Sequence, residues 1–446
     1  MIEYKRKTVL NCNIMQGKHK IKSVLFLYGI AKGRTMNTEK KFYDVAINPS
    51  HPLYEKMIAR EKELSVSEFE IRSPFARDYT RILHSSAYRR LKHKTQVFYN
   101  IENDHVCTRM EHVLHVESVC YTIAKYLGLN EELTKAIAMG HDLGHAPFGH
   151  YGEKVIDGLY EKYLGESFWH ERNGLYFVDN IELLPDRNNV MRNLSLTYAV
   201  RDGIISHCGE KDINCIKPRL ELIDLDDFKL PGQYNPVTFE GCVVKISDKI
   251  AYVGRDIEDA ISLGFLNFDD LKVLRKIVKL EDGSAVNTSG IISNMIRDIC
   301  IYSTPENGIC LSDEMSEILN KIKAFNYKYI YGNERFEAFK KYASLIITEL
   351  FDVLYSCYNG GDVEEGFNKK IISYPVIVKE FKDYLKKYSA KAHFLSDGEK
   401  SYEKYKNKKI YKDLTDEKVF VRAILDYIAG MTDRYAVDSF NRLTTY

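Results

Sequence analysis

The sequence predicts a mostly α-helical protein. Three observations carry this reading. Long segments place apolar residues at helical spacing, strand-like alternation is scarce, and glycine and proline punctuate the intervals between apolar segments rather than hairpin turns. Helical spacing runs over Val113–Leu127, Glu131–Met139, Val243–Leu263, Phe268–Leu280, Glu334–Tyr358 and Val419–Tyr435. Gly128, Gly144, Pro147, Gly209 and Pro231 separate segments, and Thr95–Phe98 is the main strand candidate.

Taken in chain order, residues 1–35 are expected to be a disordered or non-native upstream extension, with Met36 read as the start. Val24–Ile30 is apolar and follows lysines, but it is too short to span a bilayer, and no small-residue cleavage site follows it. No membrane association is expected. Residues 36–75 read as an N-terminal arm, 76–265 carry the chemistry, and 266–446 form a second helical region. The lysine-rich stretch Lys382–Lys412 is expected to be a solvated insertion.

Composition narrows the function classes. The 64 basic and 63 acidic side chains nearly cancel, leaving a formal charge of +1. That argues against a nucleic-acid polyelectrolyte while allowing a local basic pocket for a polyphosphate. With 45% apolar and 28% charged residues the chain is ordinary for a soluble globular protein. Nine cysteines without a CxxC pair read as reduced thiols in a cytoplasmic protein.

The chemistry concentrates in His141-Asp142-Leu143-Gly144-His145-Ala146-Pro147-Phe148-Gly149-His150, which packs three histidines and an aspartate into ten residues. An adjacent His-Asp pair offers an imidazole and a carboxylate to one divalent ion, and these ligand types leave Mg, Mn, Fe and Zn open. His145 overhangs the edge occupied by the pair, and the Gly144 and Ala146-Pro147 breaks turn the chain so that His150 and Glu153 return to the same place. Upstream, His112 opens an amphipathic helix one turn after Arg109. Downstream, Asp248, Tyr252 and Asp256 recur every four residues on one helix face. A lone histidine or aspartate is usually a satisfied or solvated group; the coincidence of these in one chain reverses that reading.

Six blocks follow in order: Tyr88-Arg89-Arg90-Leu91-Lys92-His93-Lys94-Thr95-Gln96-Val97-Phe98; Thr108-Arg109-Met110-Glu111-His112; the stretch from His141 to Glu153; Phe168-Trp169-His170-Glu171; Asp248-Lys249-Ile250-Ala251-Tyr252 with Asp256; and the segment from Asp426 to Tyr435. Together, over roughly residues 70–440, they resemble the HD superfamily of metal-dependent phosphohydrolases. The text is most similar to its deoxynucleoside triphosphate triphosphohydrolases, the bacterial dGTPase type and the vertebrate SAM-and-HD-domain enzyme. One departure is Ala146 before Pro147, where many relatives carry two prolines; it touches loop stiffness and leaves the ligand set intact.

The resemblance implies an HD-domain helical-bundle core with an additional helical C-terminal region. It implies His112, His141, Asp142 and Asp248 as ligands of one divalent ion (Mn, Mg, Fe, Co or Zn). It implies hydrolysis of a dNTP, dGTP included, by water attack at the α-phosphorus. His145, His150, Glu153 and His170 would surround the scissile phosphate, with His150 and Glu153 as the acid pair that protonates the leaving oxygen. Arg109 is placed to reach the phosphates, and Lys249, Tyr252 and Lys323 would extend that clamp. Gln96 and Asp256 match positions that contact the sugar, and Tyr331 is a candidate for packing against the sugar edge to reject a 2′-hydroxyl. The segment Asp426–Tyr435 is expected to be structural support. A homo-oligomer, tetramer or hexamer, is expected, with an allosteric dNTP and single-stranded DNA as candidate further ligands. Two other readings stand beside this one: another HD phosphohydrolase, acting as a nucleotidase or phosphodiesterase, and a nucleotide-sensing or nucleic-acid-binding HD protein.

Overall fold

Thr108 starts the central helix. Its side chain accepts from the Glu111 N–H while Glu111 reaches back to the Thr108 N–H, a capping box that opens Arg109–Leu127. Gly128, at φ 84°, ends the helix in the left-handed conformation that glycine adopts without a Cβ penalty. The computed structural model describes residues 40–64, 69–99, 105–208, 214–280, 286–361, 363–390 and 404–444. The expectations for residues 1–35 lie outside them.

Two groups of helices form. Pro74–His84, Arg109–Leu127, Glu131–Gly140 and Phe239–Ser262 pack in one. Gly149–Leu164, Phe336–Tyr355 and Glu417–Ala429 pack in the other. Each group closes over its own apolar core. The first holds Val113, Val116, Ile137, Leu143, Val243 and Ile250; the second holds Ala146, Phe148, Ile156, Ile347, Phe351 and Ile424. The stretch between His141 and His150 passes from one core to the other. Leu143 is buried in the first, and Ala146 and Phe148 are buried in the second. Burying a side chain the size of Leu143 or Phe148 contributes about 1.5–3 kcal/mol. The apolar residues of the stretch therefore anchor it on both sides and leave its polar groups along the seam.

Among the described residues the strands are short. Leu183–Pro185 pairs antiparallel with Met191–Asn193, and Cys215–Ile216 with Ile309–Cys310. No helix among them is long and apolar enough to cross a membrane. The mostly helical expectation holds, and four details change. Thr95–Phe98 is not a strand; Thr95 makes an isolated bridge with Thr108. The periodic run Val419–Tyr435 is two helices, Glu417–Ala429 and Asp433–Thr444, because the chain breaks at Gly430. The flanks of the lysine-rich stretch are not a solvated insertion: Leu385, Tyr388 and Tyr411 lie in the second core. Not all cysteines are reduced: Cys215 and Cys310 face each other across their antiparallel pair and are disulfide-bonded, while the other described cysteines are free.

Candidate metal and hydrolytic site

Helix ends place the first cluster. Arg109 and His112 occupy the first turn of Arg109–Leu127, both buried. His141 and Asp142 follow directly on the last residue of Glu131–Gly140. Asp248 sits within the long helix Phe239–Ser262. His112 Nε2 lies 3.0 Å from Asp248 Oδ1 and 4.0 Å from Asp142 Oδ2. His141 Nε2 lies 3.8 Å from Asp142 Oδ1 and 3.8 Å from Asp248 Oδ1. Four side chains from three separate parts of the sequence thus converge.

The His141 ring shows what such a cluster fits. Its Nδ1–H donates to the Ala138 carbonyl at 2.6 Å, which leaves the lone pair on Nε2; that atom is buried and has no hydrogen-bond partner. An imidazole oriented by a backbone carbonyl, with its second nitrogen bare among carboxylates, fits a cation. Burial alone would raise the Asp142 carboxyl; His145, Arg109 and His141 outweigh it and hold the group well below the usual carboxylate range. Burial likewise opposes the ionised form of Asp248, and the His112 hydrogen bond with the nearby imidazoles pulls it down. Both carboxylates are therefore ready as anionic ligands.

A second cluster adjoins the first through His145, whose Nε2 is 3.0 Å from Asp142 Oδ1. The His145 and His170 rings stack at 3.8 Å and 15°. Glu153, from the Gly149–Leu164 helix, serves three histidines: His170 Nδ1 at 3.0 Å, His150 Nδ1 at 3.2 Å and His145 Nδ1 at 3.7 Å. Burial, then the charges of Arg109 and His170, push the His145 pKa well down. Burial would lower His170 too, but Glu171 and Glu153 overcome it and raise that imidazole well above its usual value. The stacked pair is thus split into a neutral ring and a charged one. His150 is different, with its side chain 73% exposed, so the Glu153–His150 pair has one end open to solvent.

The remaining expected residues are distributed around these clusters. Arg109 donates to Asp142 Oδ2 at 2.9 Å, and its Nε has no partner; the guanidinium faces the cluster already engaged. Tyr331, at the end of the π-helical turn Tyr327–Tyr331, donates to Asp256 Oδ2 at 2.5 Å. Burial lifts Asp256 to about 7 despite that hydrogen bond. Lys323 is buried near the end of Asp313–Asn326. Lys249 and Tyr252 share the Asp248 helix and are partly buried. Gln96 is partly buried, and its Oε1 has no partner.

Sequence reasoning missed His207 and Cys208. The His207 ring stands 5.1 Å from His141 and 5.6 Å from His170. A signal was available: a His-Cys doublet directly follows the helix Tyr198–Ser206, as the His-Asp doublet follows Glu131–Gly140. Gly144 was read only as a helix breaker, yet the packing demands it. A Cβ there would stand 2.0 Å from the His170 carbonyl oxygen and 2.1 Å from the Gly174 nitrogen.

The chain also matches known proteins. The HD domain matches over residues 109–253, a span that contains His112, His141, Asp142 and Asp248. A phosphohydrolase-associated domain matches over residues 392–442. The chain is 34% identical to a deoxyguanosinetriphosphate triphosphohydrolase-like protein of Caldanaerobacter subterraneus, over 86% of this chain and 88% of the relative. It is 30% identical to one of Clostridium perfringens, over 91% and 96%. It is 34% identical to one of Pelagibacter ubique, over 82% and 92%.

Proposed function

The chain belongs to the HD-domain family of deoxyguanosinetriphosphate triphosphohydrolase-like proteins, and on that premise we propose that this hydrolase is a dNTP triphosphohydrolase with dGTP among its substrates. The convergence of His112, His141, Asp142 and Asp248 beside the Glu153-linked histidines carries this reading. A water oxygen bonds to the α-phosphorus, the bond to the 5′-oxygen breaks, and the products are the deoxynucleoside and tripolyphosphate. A divalent ion on the four ligands, Mn, Mg, Fe, Co or Zn, would supply Lewis acidity and a water of lowered pKa.

The chain's own groups do the rest in this reading. Glu153 orients His150 through Nδ1, and His150 delivers the proton that the departing 5′-oxygen needs. His145 and His170 line the phosphate, one neutral and one charged. Arg109 reaches the phosphate oxygens with the guanidinium edge that Asp142 does not hold, and Lys249, Tyr252 and Lys323 extend the clamp. Gln96 and Asp256 hold the sugar, and Tyr331 packs against its edge. The protein acts as a homo-oligomer, tetramer or hexamer, and sedimentation showing a fully active monomer would refute that part.

The test is product analysis. The purified chain is incubated with each dNTP and each of Mg, Mn, Co and Fe, and the products are separated by chromatography. Deoxynucleoside and tripolyphosphate are expected. Orthophosphate or pyrophosphate would place the chain among the nucleotidase or phosphodiesterase branches of the superfamily. Unchanged nucleotide-dependent function in an Asp142→Ala variant without turnover would make it a sensor.

A further inference from the structure

We propose that His170, His207 and Cys208 form a second cation site, of the zinc class, beside the four-ligand cluster. Their ligand atoms all lie within 4.8 Å of one another. Cys208 Sγ is 3.8 Å from His170 Nε2. In a tetrahedral site with Zn–N of about 2.0 Å and Zn–S of about 2.3 Å, ligand atoms stand roughly 3.5 Å apart. The present spacing needs only a small contraction to reach that figure.

Both imidazoles are presented as ligands. His207 Nδ1–H donates to the Ile204 carbonyl at 2.7 Å, and its Nε2 is buried without a partner. His170 turns Nδ1 to Glu153 Oε1 at 3.0 Å and to Glu171 Oε2 at 3.5 Å, which leaves Nε2 facing Cys208. Holding one ring nitrogen on a carbonyl or carboxylate so that the other points at the metal is the recurrent support of a histidine ligand. His207 uses the same device as His141, a hydrogen bond to the carbonyl three residues back just past a helix end. By the spacing of its ligand atoms, His207 groups with His170 and Cys208 and not with His112, His141 and Asp142.

The third ligand is equally placed. Cys208 alone among the described free cysteines is not fully buried, which gives an ion a route in. Lys245 donates to the backbone carbonyls of Ser206 and Cys208, fixing the doublet where the chain leaves the helix. A thiolate with two imidazoles selects zinc or a similar thiophilic ion over magnesium or calcium. Binding releases the thiol proton and the second ring proton of the charged His170 to solvent, and leaves a fourth position for water. The site would tie the helix His170–Tyr176 to the end of Tyr198–Ser206. It goes beyond the dNTP reading and does not need it.

The test uses the full chain, stripped and then reloaded with zinc or cobalt. Metal content is measured by elemental analysis, and the cobalt form by absorption. Two equivalents per chain and a thiolate-to-cobalt charge-transfer band are expected. Cys208→Ser should lose the band and one equivalent, with the melting curve of the stripped protein unchanged. His207→Gln should lose the same equivalent, while His112→Asn loses the other and keeps the band. A single equivalent with the band would uphold this site and sink the four-ligand cluster. A single equivalent without it, or a band that survives Cys208→Ser, would overturn the proposal.

Discussion

Asp433 accepts the backbone N–H of Phe148 at 2.8 Å, joining a residue of the C-terminal helix to the turn that carries the histidines. Its other oxygen accepts the Thr95 N–H at 3.0 Å and the Thr95 hydroxyl at 2.6 Å. Phe148 needs such a hold. It sits at φ 65°, a left-handed conformation that costs a bulky residue of order 1–3 kcal/mol, and it caps the helix bearing His150 and Glu153. Lys94 completes the link by donating to the carbonyls of His145 and Ala429.

Asp433→Ala therefore leaves the Phe148 N–H without its acceptor and should cost about 1–3 kcal/mol of stability. Released from its hold, the turn shifts Glu153 and His150, and a displacement of about 1 Å can cost 10²-fold in rate. Turnover should fall by about that factor with KM little changed. Steady-state kinetics beside a denaturant melt checks this; a variant with normal kcat would show that the latch is purely architectural.

Gly144→Ala should be poorly tolerated, because the added methyl meets backbone on two sides and not a flexible side chain. Overpacking of this kind costs about 1–3 kcal/mol. The helix starting at His170 must move away, so activity should drop further than stability does. Thermal melts paired with dNTP turnover measure the two effects separately. Wild-type rates in the alanine variant would contradict the packing argument.

Chelation should abolish turnover and lower the melting temperature, since the converging carboxylates of Asp142 and Asp248 lose their counter-charge. Adding back a divalent ion at about 100 times its Kd should restore about 2.7 kcal/mol. Asp248→Asn, in a Cys208→Ser background that lacks the second cation site, should show neither the activity nor the ion-dependent shift in differential scanning calorimetry. A variant that still responds to the ion would place the cation elsewhere.

Asp426 gives a stability change with a defined sign. Burial raises its carboxyl from 3.8 to about 6, opposed by Arg422 and by hydrogen bonds from Tyr411, Tyr176 and Tyr160. With the folded value above the unfolded one, the folded state binds more protons between them, so stability falls as pH rises through that window. The slope is about 1.4 kcal/mol for each tenfold change in proton concentration. Above about 6 the cost is complete. Asp426→Asn should flatten this part of the denaturation profile between pH 4 and 6; an unaltered profile would remove Asp426 as its source.

Much of the fold was legible along the chain. The periodic stretches near Val113, Glu131 and Val243 are helices, extended by a few residues where Thr108 and Thr238 supply the caps. The four-residue spacing of Asp248, Tyr252 and Asp256 does lie on one helix. The break between Ala429 and Asp433 was not legible, since apolar period continues through it. His207 carried no spacing to any other candidate ligand, and Asp433 read as part of a structural marker.

The difference follows from the range of the forces. Helix formation, capping and the juxtaposition of Arg109 with His112 depend on neighbours within a turn or so, and the order of residues determines them by itself. Which helix ends meet is set by the burial of two apolar cores, to which Leu143 and Phe148 belong separately. Only that packing decided that the carboxylate at 248 faces the imidazoles at 112 and 141. Only that packing brought Cys208 to His170 and Asp433 to Phe148, because long-range side-chain contacts leave no periodic trace in the sequence.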